Sequence, residues 1–228
     1  SRTPAVKAEI LAGIVRDVYP KIEQGLVKPT IHATLPITEA ATPLLLSAFS
    51  LDDLVDGAKR SPRHSSPGTD GLPYEILSLL FQHPLTAELA VKVYSDALLL
   101  GVFPVSWKST CMTLLPKKGD LSSLKNWRPI SLINTDAKVF TRLLNRRLMS
   151  HMDKCISPHQ LGFMPGRFIA DHGITIQAVK LAAHHHRSSS VGLLLDQEKA
   201  YDRVHPDYLQ MVMLKFGIPA VLRHRCLD

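Results

Sequence analysis

The stretch SVGLLLDQEKAYDRV, residues 190–204, passes from an apolar run at 191–195 directly into charge at Asp196. A short apolar run flanked by Ser and Gly reads as a strand buried on both faces. A carboxylate at the end of such a strand lies at the rim of a packed sheet, within reach of a metal ion or a phosphate. Phosphoryl-transfer chemistry places metal-holding aspartates there. Tyr201 and Asp202 follow on the same charged segment. Taken alone, the pattern is equally that of an ordinary strand with an acidic end, so its meaning depends on the rest of the chain.

Immediately upstream, HHHRSSS at 184–190 reads as a solvated polar connector, because three consecutive histidines cannot all face one metal from a regular element. Residues 169–183 have helical spacing, with Ile174, Ala178 and Leu181 expected inward, and QLGFMPGRF at 160–168 is a glycine- and proline-bearing loop that ends near Arg167. A helix is expected over 136–149, its core face carried by Val139, Phe140, Leu143, Leu144 and Leu148. Arg142, Asn145, Arg146 and Arg147 fall largely elsewhere on that cylinder. They are expected as an exposed basic strip, which either serves solubility or, with Arg167, tracks a nucleic-acid backbone.

Further back, 110–115 and 128–133 read as two strands joined by the basic turn Lys117-Lys118-Gly119-Asp120. Two lysines at a hairpin tip and Arg128 on the returning strand can grip a triphosphate, lysine as a point charge and arginine as a planar fork. A solvated basic turn gives the same pattern. SSPGTDGLP, within 61–81, is a tight glycine-dependent loop, after which Pro73 opens a helix bearing Ile76, Leu77, Leu80 and Phe81. A core helix is expected over 87–100, ending at Gly101. Residues 1–60 say least: a helix at 8–18 stopped by Pro20, a proline-broken segment, and a helix starting at 50–53 with Leu51, Leu54, Val55 and Ala58 as its stripe. Beyond the opening stretch, His205-Pro206 begins a helix with Leu209, Val212, Met213 and Phe216 inward, ended by Gly217 and Pro219.

Lys+Arg 27 against Asp+Glu 20 gives a net charge of +7, which favours a polyanionic partner such as nucleic acid. The cysteines at 111, 155 and 226 are three and widely spaced, so neither a disulfide framework nor a zinc module is implied, and a reducing compartment fits. No apolar run approaches the roughly 20 residues of a membrane span, and the first residues lack a signal-peptide pattern. A soluble intracellular protein without a membrane partner is expected.

In this order, SPGTDGLP, LLPKKGD, NWRPISLIN, QLGFMPGRF and LLLDQEKAYDRV resemble the reverse transcriptase domain of LINE-type (non-long-terminal-repeat) retrotransposons, over residues 61 to 217. The wording WRPISLIN and DQEKAYDRV is nearer to that group than to group II intron or other bacterial reverse transcriptases. The resemblance implies an α+β fold, a partial right-hand polymerase that is helix-rich, with a fingers β-hairpin and one palm strand. Residues 1–60 would be a helical or linker region, 61–189 the fingers, and 190–228 the start of the palm. It implies Asp196 as the first metal-binding aspartate and the Gln197 backbone carbonyl as a further ligand, for Mg2+ or, in its place, Mn2+. Tyr201 takes the position of the aromatic steric gate that excludes a 2′-hydroxyl, where the family more often has Phe. Lys117 or Lys118 would hold the β/γ phosphates, with Arg128 against the base and α-phosphate. Lys199 and Ala200 would offer backbone N–H groups to the triphosphate. The implied partners are an RNA template, a DNA primer and dNTPs, and the implied compartment is the nucleus.

Transfer of a nucleotide to a 3′-hydroxyl needs two metal ions about 3.5–4 Å apart and more than one carboxylate. Asp202 reads as a local or capping residue and Glu198 as outward-facing. The family's second metal-binding pair, an acidic doublet on a hairpin, does not follow Asp196 in this sequence. The expectation is therefore an incomplete piece of a larger polyprotein that supplies the rest of the palm and the thumb. By itself it would be inactive. The competing expectation is a non-catalytic, basic nucleic-acid-binding remnant acting through Arg142, Arg146, Arg147 and Arg167.

Overall fold

The computed structural model describes residues 36–60, 65–192, 194–197, 200–201 and 203–226, all within the compact unit Ala33–Asp228. The helix expected at 8–18 and the readings of Glu198, Lys199 and Asp202 lie outside the described residues.

A 3-10 turn leads into α1 (Thr42–Leu45), followed by α2 (Leu51–Lys59), α3 (Tyr74–Gln82), α4 (Pro84–Leu99), β1 (Thr110–Pro116), β2 (Trp127–Ile133), α5 (Thr135–Met152), α6 (Ala170–His185), α7 (Pro206–Lys215) and α8 (Ala220–Arg225). The Asp52-Asp53 doublet is a helix start. Ser50 Oγ accepts from the Asp53 N–H at 3.1 Å and Asp53 Oδ2 accepts from the Ser50 N–H at 3.0 Å, a reciprocal capping box. Pro73 sits one place before α3, at its N-cap. α4 starts at Pro84, earlier than its apolar spacing suggests, because His83 is extended and Pro84 can occupy the first helical turn at no hydrogen-bonding cost.

The core lies where α2, α3, α4 and α5 meet, and α8 packs on α4. Leu54, Leu77, Phe81, Leu98, Val139 and Phe140 are buried there. Tyr94 makes edge contacts with Phe49, Phe81, Trp107 and Phe140. Its hydroxyl donates to the Asp136 carbonyl at 2.8 Å, so the polar end of this buried ring is satisfied. Gly57 lets α2 approach α5 closely: a Cβ there would lie 3.1 Å from both Leu143 and Val139 side chains.

β1 and β2 pair antiparallel from Thr110↔Ile133 to Pro116↔Trp127, and they form the only sheet among the described residues. Every residue of β1 is exposed, so this ribbon is held chiefly at its base. Its far end is folded. The Lys117 N–H donates to the Asn126 carbonyl at 2.7 Å, Asn126 Nδ2 to the Asp120 carbonyl at 2.6 Å and Trp127 Nε1 to the Leu121 carbonyl at 2.9 Å. Lys117 therefore sits at the mouth of the connection, one ladder step beyond the strand, and not at its tip.

Four further expectations are corrected. The described residues of 190–197 form no strand, and Leu194 and Leu195 are 88% and 83% exposed. A strand needs neighbours for its N–H and C=O groups, and none of the described residues stands beside this segment as a ladder partner. α6 forms, but no residue of it is buried; Ile174, Ala178 and Leu181 are all exposed. It also runs on through His184 and His185, which were expected in a loop. In α7 only Met213 of the expected stripe is buried, and Leu209 is exposed.

Candidate active site

A groove of about 770 Å3 opens between the hairpin and the segment after Asp196. The hairpin contributes Lys117, Lys125, Trp127 and Arg128, and Ala200 and Tyr201 line the opposite part. Four residues singled out from sequence, Lys117, Arg128, Ala200 and Tyr201, thus come together although more than seventy positions separate the two pairs. Lys118 does not line the groove, which distinguishes the two members of the lysine doublet. Lys125 and Trp127 were not anticipated; a lysine and an aromatic two residues apart beside Arg128 were the available signal.

Among the described residues, the groove lining holds three cationic side chains and no carboxylate. None of the three cations forms an ion pair with a described residue. Such a site attracts a polyphosphate, and the planar Arg128 guanidinium can take two oxygens at once. Tyr201 is 84% exposed and lines the groove. Asp196 and Gln197 are exposed on the segment leading to Ala200 and do not line the groove.

The arginines of the expected basic strip are placed differently. The Arg142 guanidinium donates to the Gly57 carbonyl at 3.1 Å and lies 5.6 Å from the Tyr74 ring centre. Arg146 pairs with Asp56. Arg147 lies 4.1 Å over the Phe49 ring and bonds Asp53 at 3.2 Å and the Ala48 carbonyl at 3.2 Å. Arg167 donates to the carbonyls of Gln160 (2.8 Å), Asp153 (2.9 Å), Ile156 (3.2 Å) and Ser157, and to Asp153 Oδ1 (2.8 Å). Only Arg146 is fully on the exposed face; Arg142 and Arg147 are half-buried. Helical spacing separates apolar from charged positions, but it does not reveal that a neighbouring helix supplies acceptors for the charges. Burial raises the Asp53 carboxyl pKa, yet the Ser50 hydrogen bonds and the Arg147 charge outweigh it and hold the group below its ordinary value. Hydrogen bonds from Arg60, then Arg146, do the same for Asp56.

A profile described as reverse transcriptase (RNA-dependent DNA polymerase) matches residues 115–227, from the hairpin to the end of α8. The chain belongs to the reverse transcriptase family. Among its relatives, the transposon TX1 149 kDa protein of Xenopus laevis is 37% identical over 173 residues, 76% of this chain and 13% of that protein. The RNA-directed DNA polymerase from the mobile element jockey of Drosophila melanogaster is 29% identical over 73% of this chain and 18% of its own length. The probable RNA-directed DNA polymerase from the Drosophila transposon X-element is 29% identical over 96% of this chain and 24% of its own length. This reverse transcriptase domain is thus of the LINE type, a mixed helix-and-sheet unit that spans a quarter or less of the length of these relatives.

Reverse transcriptases use divalent metals such as Mg2+. Among the described residues of this reverse transcriptase domain, no three His, Cys, Asp or Glu side chains are grouped to hold an ion. Asp196 offers a single carboxylate, which is less than a two-ion centre requires. The described residues do not by themselves fit such a centre.

Proposed function

We propose that this chain is the fingers, residues 61–189, and the first part of the palm, residues 190–228, of an RNA-directed DNA polymerase that extends a DNA primer on an RNA template. The observation that carries the reading is the cationic groove, in which Lys117 and Arg128 of the hairpin face Ala200 and Tyr201 of the segment following Asp196. A dNTP fits it by chemistry. Lys117 takes the β/γ phosphates, Arg128 the α-phosphate and base, the backbone near Ala200 the remaining phosphate oxygens, and the Tyr201 ring the space beneath the sugar. Asp196 contributes one ligand to the Mg2+ centre, together with the Gln197 carbonyl. The other carboxylates come from further chain of a longer parent protein, in keeping with the fraction of its relatives that the domain spans. The working compartment is the nucleus, where primer and template meet. No described helix is long and apolar enough to cross a membrane.

The competing reading, a non-catalytic basic binder, loses support because Arg142, Arg147 and Arg167 are committed to acceptors within the protein. The experiment is primer extension on an RNA template by the parent protein. Asp196→Asn should abolish Mg2+-dependent extension, and persistence of activity would refute the assignment.

A further inference from the structure

The hairpin that carries Lys117 and Arg128 is exposed along β1, and a two-stranded ribbon alone is marginal in water. Its direction, and so the place of its cations in the groove, is set by what holds its base. Ser106 lies just before β1 and Asn134 just after β2. Asn134 is the residue at the N-cap of α5, yet its side chain makes no capping bond. It is 1% exposed. Its Nδ2 donates to the Ser106 carbonyl at 3.1 Å, tying the two ends of the hairpin together. Its Oδ1 accepts from Thr69 Oγ1 at 3.3 Å and from the Asp70 N–H at 3.5 Å, tying that base to the SPGTDG loop. The amide can face only one way, because a carbonyl accepts and a backbone N–H donates. The loop closes on the same residue from the other side. A Cβ on Gly68 would lie 2.5 Å from Asn134 N and 2.6 Å from its Cα, and closer still to Oδ1. Gly68 is therefore required by contact. Lys138 Nζ to the Ser66 carbonyl (2.8 Å) and Thr135 Oγ1 to the Leu72 carbonyl (2.7 Å) hold the loop at either side.

We infer that Asn134, locked by Gly68 and Thr69 of the SPGTDG loop, is a positioning residue that aims the hairpin, and with it Lys117 and Arg128, at the incoming nucleotide. The inference rests on the groove being the dNTP site. It gives the glycine-rich loop a role at a distance from any phosphate: the loop is a clamp on the hairpin base. Asn134→Asp keeps the shape but sets a second acceptor against the Ser106 carbonyl, which opens that joint.

The test uses the intact parent polymerase, with active sites counted by burst titration. Lys117→Ala is the reference for a lost phosphate contact. Asn134→Asp should raise the KM for dNTP about tenfold, with kcat per active site and the KM for template–primer within about twofold. Gly68→Ala, which strikes the same joint from the loop, should do likewise, and the double variant should be no worse than either single one. Thr69→Val, an exposed position that loses only its hydroxyl, should give about a two- to threefold rise and remains testable should the other variants fold poorly. A role in folding alone would lower the count of active sites and leave the dNTP KM unchanged; that result, or an unchanged dNTP KM in Thr69→Val together with additive losses, overturns the inference. If Lys117→Ala itself leaves the dNTP KM untouched, it is the reading of the groove that falls, and the inference with it.

Discussion

At the residue scale, two consecutive lysines with equal claims in the sequence are placed differently. The Lys117 N–H continues the hairpin ladder by bonding Asn126, and its side chain lines the groove, whereas Lys118 lies outside the lining. Lys117→Ala in the parent polymerase should therefore raise the dNTP KM about tenfold, and Lys118→Ala should change it less than about twofold, as read by steady-state extension. Arg167 makes the opposite case. Its side chain is 15% exposed and spends its N–H groups on Asp153, Ile156, Ser157 and Gln160. Arg167→Ala should lower stability by about 2–3 kcal/mol in urea unfolding, because several carbonyls lose their partner at once. Arg167→Lys should recover little of this, since one ammonium cannot replace a planar fork. The salt dependence of RNA binding should be unchanged; a slope reduced by about one would show a phosphate contact instead.

At the element scale, the contact between α2 and α5 is made of charge as well as packing. Gly57 lets the helices approach, and Arg142, Arg146 and Arg147 of α5 all reach back to α2 or the turn before it. The carboxyls of Asp53 and Asp56 titrate below their ordinary value of 3.8 in the folded chain. The unfolded chain thus binds more protons as the pH falls through that range, and stability falls with it. The urea midpoint should hold steady above about pH 5 and drop on acidification through their lowered pKa values, with a shallower drop in Asp53→Asn. Ser50→Ala, which removes half of the capping box, should cost about 1 kcal/mol at neutral pH. This helix was legible in the sequence because its cap and its stripe are local signals. The hairpin was legible for the same reason, to within a residue at each strand. What could not be read were its tertiary ties. Asn134 precedes a helix and has the identity of a cap, so nothing local reveals that its amide turns away to Ser106 and Asp70. Likewise Gly68 looks like a turn glycine, and only the approach of Asn134 shows that contact also requires it.

At the scale of the whole molecule, the described residues divide into a packed part and a part with apolar surface uncovered. α2 to α5 share one core, while Ile174, Val179 and Leu181 on α6 and Leu194 and Leu195 after it are all exposed. The apolar run at 191–195 has the composition of an interior strand; composition specifies a preference for burial but cannot supply the neighbouring strands that satisfy it. Exposed apolar surface of this kind promotes self-association. The 228-residue chain should bind a hydrophobic dye and associate reversibly with rising concentration, as followed by light scattering. Leu194→Asp with Leu195→Asp should weaken both signals. The same pair should leave the urea midpoint of the helical core unchanged within about 0.5 kcal/mol, since neither side chain is packed on that core. If the proposed palm is completed in a longer parent polymerase, the pair should instead abolish extension, because 191–195 would then be an interior strand. A loss of core stability in the 228-residue chain would mean instead that 191–195 packs on the helical core in solution and is not uncovered.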